Sequence, residues 1–154
     1  PKPLFFNFPD NQMDKVPLLK IVKKIEKILK SFKPEIIFTH YYNCLNVDHQ
    51  ITFKALNTAA RPVGKQSIKK ILCFEIPSSS EWILGNRSFK PNYYINITGQ
   101  IEDKIKSLKF YENEIRKFPH SRSIEGVRSF AKFRGLSCGL KYAEGFLLVR
   151  NILK

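Results

Sequence analysis

A helical stripe and an unbroken apolar run lie back to back between residues 15 and 40. Leu18, Val22, Ile25, Leu29 and Phe32 recur at four, three, four and three, which is one face of an α-helix. Lys20, Lys23, Lys24, Lys27 and Lys30 fill the other face, which reads as solvated. The stripe predicts a helix opening at Asp14 or Lys15. It should end near Phe32, because Pro34 disfavours helical geometry at the residue before it. "EIIFTH" (35–40) follows, a short continuous apolar run as expected for a strand covered on both faces.

The alternation continues along the chain. Asp48 can cap a second helix, with Ile51, Ala55, Leu56 and Ala59 turned inward and Pro62 ending it. "KKILCFEI" (69–76) is a second buried strand, "PSSSEW" (77–82) a polar loop and "YYINIT" (93–98) a third strand. A third helix is predicted over roughly 99–117, on the stripe Ile101, Ile105, Leu108 and Ile115. Ser123 caps a fourth, which carries Ile124, Val127 and Phe130 and breaks near Arg134 and Gly135. "EGFLLV" (144–149) is a last strand. This mostly alternating order predicts an α/β layered fold with a largely parallel sheet. The 154 residues suffice for one domain with a real core, and no repeat or low-complexity tract divides residues 1–154. Ligands in such sheets sit at the carboxyl ends of the strands, so "THYYNCLNVDH" (39–49) and "PSSSEW" are the loops to search.

A formal net charge of +14 invites a nucleic-acid reading. The surplus is mostly lysine scattered along predicted helices, with no arginine cluster interleaved with exposed aromatics. No nucleic-acid partner is expected. The charge is assigned to solubility, or to attraction of an anionic substrate or membrane surface. No apolar run approaches the roughly 18–20 residues that span a bilayer, so no transmembrane segment is expected. Cys44, Cys73 and Cys138 are odd in number and match no zinc-ribbon or redox spacing, which points to a reducing, cytoplasmic setting. The chain opens "PKPLFF", without methionine, and reads as cut from something longer.

His40, Cys44, Asp48 and His49 lie close together just after a predicted strand, and each can bind a metal or move a proton. His49 falls in the first turn of a helix, a rigid element that can aim its imidazole. Asp48 beside it could orient that ring or a reacting group, as outer carboxylates do for metal-bound histidines. Two ligands are not a zinc site. Catalytic zinc takes three protein ligands and an open position, so other groups must be recruited. Plainer readings stand beside these. Asp48 can be a helix cap alone, His49 a surface residue, His40 a hydrogen-bonded strand end and Cys44 a small filler. A zinc knot of His40, Cys44 and His49, or a Cys44–His40 nucleophile pair, has the least support, since nothing in the sequence orients the base.

"KPEIIFTHYYNCLNVDHQITFKALNTAARP" (33–62) resembles the second conserved segment of the PIG-L/LmbE-like family of metal-dependent N-acetylglucosaminyl deacetylases. In the branch it most resembles, a strand ends in Thr-His and a loop of type D-L-N-x-D-H opens a helix closing with Arg-Pro. "FPDNQMD", "FEIPSSSEW", "FKPNYYINI", "EIRKFPHSRS" and "RGLSCGLKYAEGF" resemble further family segments in the same order. The resemblance implies a Rossmann-like three-layer α/β fold with a mostly parallel sheet. It also implies hydrolysis of an acetamide on an N-acetylated sugar substrate, with a divalent metal, usually zinc, polarising the carbonyl and activating water. His49 matches the metal-ligating histidine. Asp48 matches the acidic neighbour that positions and tunes the site, and His40 a supporting histidine at the strand end. Asn46 stands where many relatives have a histidine credited with stabilising the intermediate or acting as acid. Asparagine can donate a hydrogen bond there but cannot deliver a proton. Ser79, Glu81 and Trp82, in the Ser78–Trp82 loop, are expected to border the sugar, with Trp82 available to stack on a pyranose ring.

The sequence departs from the family pattern twice. Cys44 stands where the resembling branch has aspartate. The family's H-P-D-D-E-like first motif, source of the other metal ligands and the base, matches nothing here. The first strand and its loop are therefore expected to be missing, upstream of Pro1. The intact protein is expected to be a zinc-dependent N-deacetylase and this portion alone inactive. The alternative is a non-catalytic, degenerate α/β module that binds a sugar or a partner. A methyltransferase would need a glycine-rich loop after a strand, and the sequence has none.

Overall fold

The computed structural model describes residues 2–64 and 67–153. Their α-helices are α1 (Leu18–Phe32), α2 (Val47–Ala59), α3 (Ile101–Lys109) and α4 (Ile124–Leu136). The strands are β1 (Ile36–His40), β2 (Lys70–Phe74), β3 (Tyr93–Asn96) and β4 (Ala143–Asn151). They form one sheet in the order β1-β2-β4-β3. β3 and β4 pair antiparallel, Tyr93 opposite Phe146 and Asn96 opposite Ala143. The α/β class is as expected, but this pair makes the sheet mixed. The chain divides into two compact units, one up to Cys73 with Val149 onward, the other Phe74–Leu148.

In the first unit α1 buries Ile21, Val22 and Leu29, as its stripe predicts. These pack in one core with Ala55, Leu56 and Ala59 of α2 and with Met13 and Ile71. α1 starts at Leu18, later than expected. Pro17 occupies its N-cap position with φ −52° and ψ 123°, and Met13–Lys15 makes a separate 3₁₀ turn. The helix stops where Pro34 predicts. Lys33 takes a left-handed conformation (φ 47°) and its N–H reaches the Leu29 carbonyl at 3.0 Å. β2 lies deep, with Ile71, Leu72 and Cys73 at 2%, 1% and 0% exposure.

In the second unit Ser123 caps α4 as expected, its Oγ accepting from the Gly126 N–H at 2.9 Å. α4 runs to Leu136. Gly135 lies so close to the following loop that a Cβ there would stand 2.9 Å from the Lys141 carbonyl oxygen. α3 ends at Lys109, well short of 117. Phe110 and Tyr111 are 88% and 65% exposed, so nothing apolar holds a further helical turn. The chain closes instead through turns such as Glu114 N–H to Tyr111 O at 2.8 Å. Ile115 therefore stands outside the helix to which its spacing assigned it.

Candidate functional site

β1 delivers His40 to the start of a short loop, and α2 begins seven residues later, at Val47. Asn46, not Asp48, is the N-cap of α2. Its Oδ1 accepts from the backbone N–H of Asp48 at 2.8 Å and of His49 at 3.3 Å. The side-chain amide of Asn46 donates to Asn11 Oδ1 at 2.8 Å. The cap expected at Asp48 is thus displaced by two residues. Asp48 is instead an anchor for a distant loop. Its Oδ2 accepts from the Asn11 N–H at 2.7 Å and its Oδ1 from the Met13 N–H at 2.9 Å. Asn11 sits at φ 51°, a left-handed conformation that asparagine tolerates better than most residues.

The two histidines expected at the site come together. Their rings stack with centroids 4.3 Å apart and planes 24° from parallel. Cys44, only 1% exposed, places Sγ 3.0 Å from His49 Nδ1. The loop is fastened at Cys44 from both sides. Its N–H donates to the Tyr41 carbonyl at 3.1 Å, and its carbonyl accepts from the Gln50 side chain at 2.6 Å. Burial, and then the neighbouring His49, pull the His40 pKa down to about 4, so that ring is neutral at ordinary pH. The pair presents a stack whose half-buried member, His40, resists protonation. His40, Cys44, Asn46, Asp48 and His49 therefore form one cluster in the first unit.

A metal ligand needs a lone pair aimed outward, and metal-bound histidines have their other nitrogen held by a hydrogen-bonding partner. His49 has Cys44 Sγ beside Nδ1, with donor and acceptor set by the ring's tautomer. Both oxygens of Asp48 already accept backbone N–H groups. Among the described residues no group of three or more histidine, cysteine, aspartate or glutamate side chains is placed to hold an ion. The residues present fit one corner of a zinc site and do not complete it.

Ser79, Glu81 and Trp82 form a separate cluster in the second unit. Glu81 folds back on its own loop, accepting from the N–H groups of Ser78 at 2.7 Å and Ser79 at 3.2 Å. Ser80 Oγ accepts from the Ile76 N–H at 2.8 Å. Ser79 and Ser80 are each 5% exposed, whereas Trp82 is half-exposed. The Trp82 ring meets His120 edge-on at 5.8 Å. His120 in turn accepts at Nδ1 from the Arg122 N–H at 3.0 Å. The serines and Glu81 thus shape the loop, and Trp82 is the group it presents.

Sequence reasoning missed the Asn11–Met13 loop as a member of the first cluster, and Gln50 and His120 as neighbours of the predicted residues. Two of the missing contacts are made by backbone N–H groups and carry no residue-type signal. Asn11 had one clue, its place in "FPDNQMD", the segment that resembles the loop preceding this motif.

A mixed α/β sheet with a histidine-bearing loop between β1 and α2 defines the class. Residues 2–60, which include that entire loop, match the family described as "PIG-L: GlcNAc-PI de-N-acetylase". Three solved structures share the fold. The conserved protein TT1542 from Thermus thermophilus has 18% identity and a TM-score of 0.70 over 96% of this chain. N,N'-diacetylchitobiose deacetylase from Pyrococcus horikoshii, complexed with its inhibitor MPG, has 20% identity and a TM-score of 0.69 over 94% of this chain. GalB, the 4-carboxy-2-hydroxymuconate hydratase of Pseudomonas putida, has 17% identity and a TM-score of 0.66 over 88%. The matches span 65%, 55% and 60% of those chains respectively. At such identities the likeness is one of fold. Residues 2–60 thus match the PIG-L family, in keeping with the motifs quoted from that stretch.

Proposed function

We propose that these residues are part of a metal-dependent N-deacetylase, an amide hydrolase that removes acetyl from an N-acetylglucosamine-type sugar conjugate. In this reading all 154 residues belong to one PIG-L/LmbE-like domain. The observation that carries it is the family match over residues 2–60, because that stretch holds His40, Cys44, Asn46, Asp48 and His49. The fold likeness to a chitobiose deacetylase supports it. The same reading takes the sheet as part of a Rossmann-like three-layer fold with mostly parallel strands. β1 is the edge strand of the described sheet, which is where a further strand would pair.

His49 is assigned one coordination position of a divalent cation, zinc in the family reading. The other ligands and the base implied by the resemblance correspond to nothing in this sequence, so this portion alone is expected to be inactive. When bound, such an ion polarises the acetyl carbonyl and activates water. The chain's own side chains divide the remaining work. Asp48 and Asn46 hold the Asn11–Met13 loop against the first turn of α2. His40 backs His49 with a neutral ring. Trp82 offers an apolar face to a sugar, and Glu81 and Ser79 fix the loop that carries it. Among the described residues no helix is long and apolar enough to cross a membrane. Three free thiols agree with a reducing, cytoplasmic setting.

The test is acetate release from N-acetylglucosamine conjugates by the full-length protein. Activity that disappears with chelator and in His49→Ala supports the reading. Full activity in His49→Ala removes it. The alternative is a non-catalytic module that binds a sugar or a partner. It draws on Asp48 and Asn46 being taken up by structural hydrogen bonds, and it predicts sugar binding without acetate release.

A further inference from the structure

We propose that Cys44 is a positioning residue that fixes both the aim and the tautomer of the His49 imidazole. The Sγ-to-Nδ1 distance of 3.0 Å is that of a hydrogen bond between the thiol and the ring. Cys44 cannot swing away. It is 1% exposed, and its backbone is fastened by Tyr41 and by the Gln50 side chain. The His49 ring is restrained in two senses. The stacked His40 ring limits its tilt, and the thiol selects one of its two flipped orientations.

The chemistry of the partner decides where the ring's proton sits. A neutral thiol donates weakly and accepts weakly, whereas an unprotonated imidazole nitrogen is a good acceptor. In a neutral pair the S–H therefore points at Nδ1, and the ring's own hydrogen is on Nε2. A carboxylate at position 44 would act in reverse. It can only accept, so it would hold the hydrogen on Nδ1 and leave the Nε2 lone pair free. Cys44 thus sets His49 in the tautomer opposite to the one a carboxylate would select. A consequence follows that rests on the reading of His49 as a metal ligand: a ring with its hydrogen on Nε2 would have to give that hydrogen up before Nε2 could take a metal, so Cys44 would weaken metal capture.

The molecule contains its own reference. His120 accepts at Nδ1 from a backbone N–H, that of Arg122, at 3.0 Å, so in its neutral form its hydrogen is also on Nε2. Long-range proton–nitrogen correlation spectra of histidine-labelled protein at mildly alkaline pH read the tautomers directly. Expected are matching Nε2–H patterns for His49 and His120, retention of the His49 pattern in Cys44→Ser, a mixture in Cys44→Ala, and a switch to Nδ1–H in Cys44→Asp. A wild-type His49 in the Nδ1–H form, or an unchanged tautomer in Cys44→Ala, overturns the proposal. If Cys44→Ala does not fold, Cys44→Asp carries the test: a tautomer that stays Nε2–H there overturns the proposal, as does a wild-type ring in the Nδ1–H form. The measurement needs neither metal nor substrate, so a protein without deacetylase activity still gives the answer.

Discussion

Asp48→Ala should unfasten the loop at Asn11–Met13 while leaving α2 capped. The substitution removes two hydrogen bonds from backbone N–H groups to a carboxylate, at 2.7 and 2.9 Å. Bonds to charged groups contribute about 1.5–3 kcal/mol each when protected from water. The bond from Asn11 is exposed and should count for little, whereas that from Met13 is partly buried and should count near the lower limit. A carboxylate in the first turn of a helix adds about 0.3–1 kcal/mol through the helix dipole. The expected loss is roughly 2–3 kcal/mol, read as a lower urea midpoint with an unchanged slope. Asp48→Asn keeps one acceptor oxygen and should lose about half as much. Hydrogen exchange gives the sharper reading. The Asn11 and Met13 amides should lose protection, while those of Asp48 and His49, which face the Asn46 cap, should keep theirs. A loss under about 0.5 kcal/mol with unchanged Asn11 and Met13 exchange refutes the anchor. Fraying confined to the first turn of α2 would return Asp48 to the capping role its sequence position suggests.

Arg134 Nε donates to Glu75 Oε2 at 2.9 Å, and a second bond joins the pair through Arg134 Nη2. Both side chains are 12% exposed, so Arg134→Met should cost about 3–5 kcal/mol by stranding the carboxylate, and adding Glu75→Leu should recover much of it in urea titrations. Gly126→Ala would place a Cβ 2.6 Å from the Ser121 carbonyl oxygen, a backbone atom that cannot rotate away; calorimetry should show a loss of about 1–3 kcal/mol. Burial pushes the Cys73 thiol from 9.0 up to about 12. The folded state then holds this proton more tightly than the unfolded chain does, so the stabilisation is complete below the unfolded value and fades as pH rises toward the folded one. Unfolding free energy should fall more steeply across that alkaline range in the wild type than in Cys73→Ser; equal slopes would contradict the shift.

The parts of this fold that could be read from the sequence are those fixed by neighbours along the chain. The end of α1 follows from Pro34, the α4 cap from Ser123, and β1 from the apolar run before Thr39, although Ile36 and Phe38 are each 49% exposed and the strand is not covered on both faces as expected. The misread boundaries depend on distant or missing contacts. α2 offers two capping residues, Asn46 and Asp48, and local chemistry does not choose between them. The loop at residues 11–13, far away in sequence, takes both Asp48 oxygens and leaves the cap to Asn46. α3 shows the opposite failure. Ile115 continues the stripe, yet Phe110 and Tyr111 find no apolar surface, and the helix ends with them outside it. The candidate site was legible as a cluster because a strand end and the next helix start bring His40, Cys44 and His49 together locally. That Cys44 touches the ring of His49 was not legible, since spacing gives proximity and not the aim of a side chain.

The first turn of α2 assigns separate tasks to neighbouring side chains, and this makes their effects separable. Asn46 satisfies the helix N–H groups, Asp48 holds the incoming loop, and His49 alone of the three turns its ring toward Cys44 and His40. A group whose rotamer is set by packing and by a hydrogen bond loses little freedom when it engages a ligand, which is what a preorganised site requires. Asn46 and Asp48 act on backbone N–H groups, so changes there should shift stability and loop exchange before they shift the tautomer of His49. A change at Cys44 acts on the ring directly and should do the reverse. The order of those two responses separates a histidine held merely by its helix from one held by its thiol.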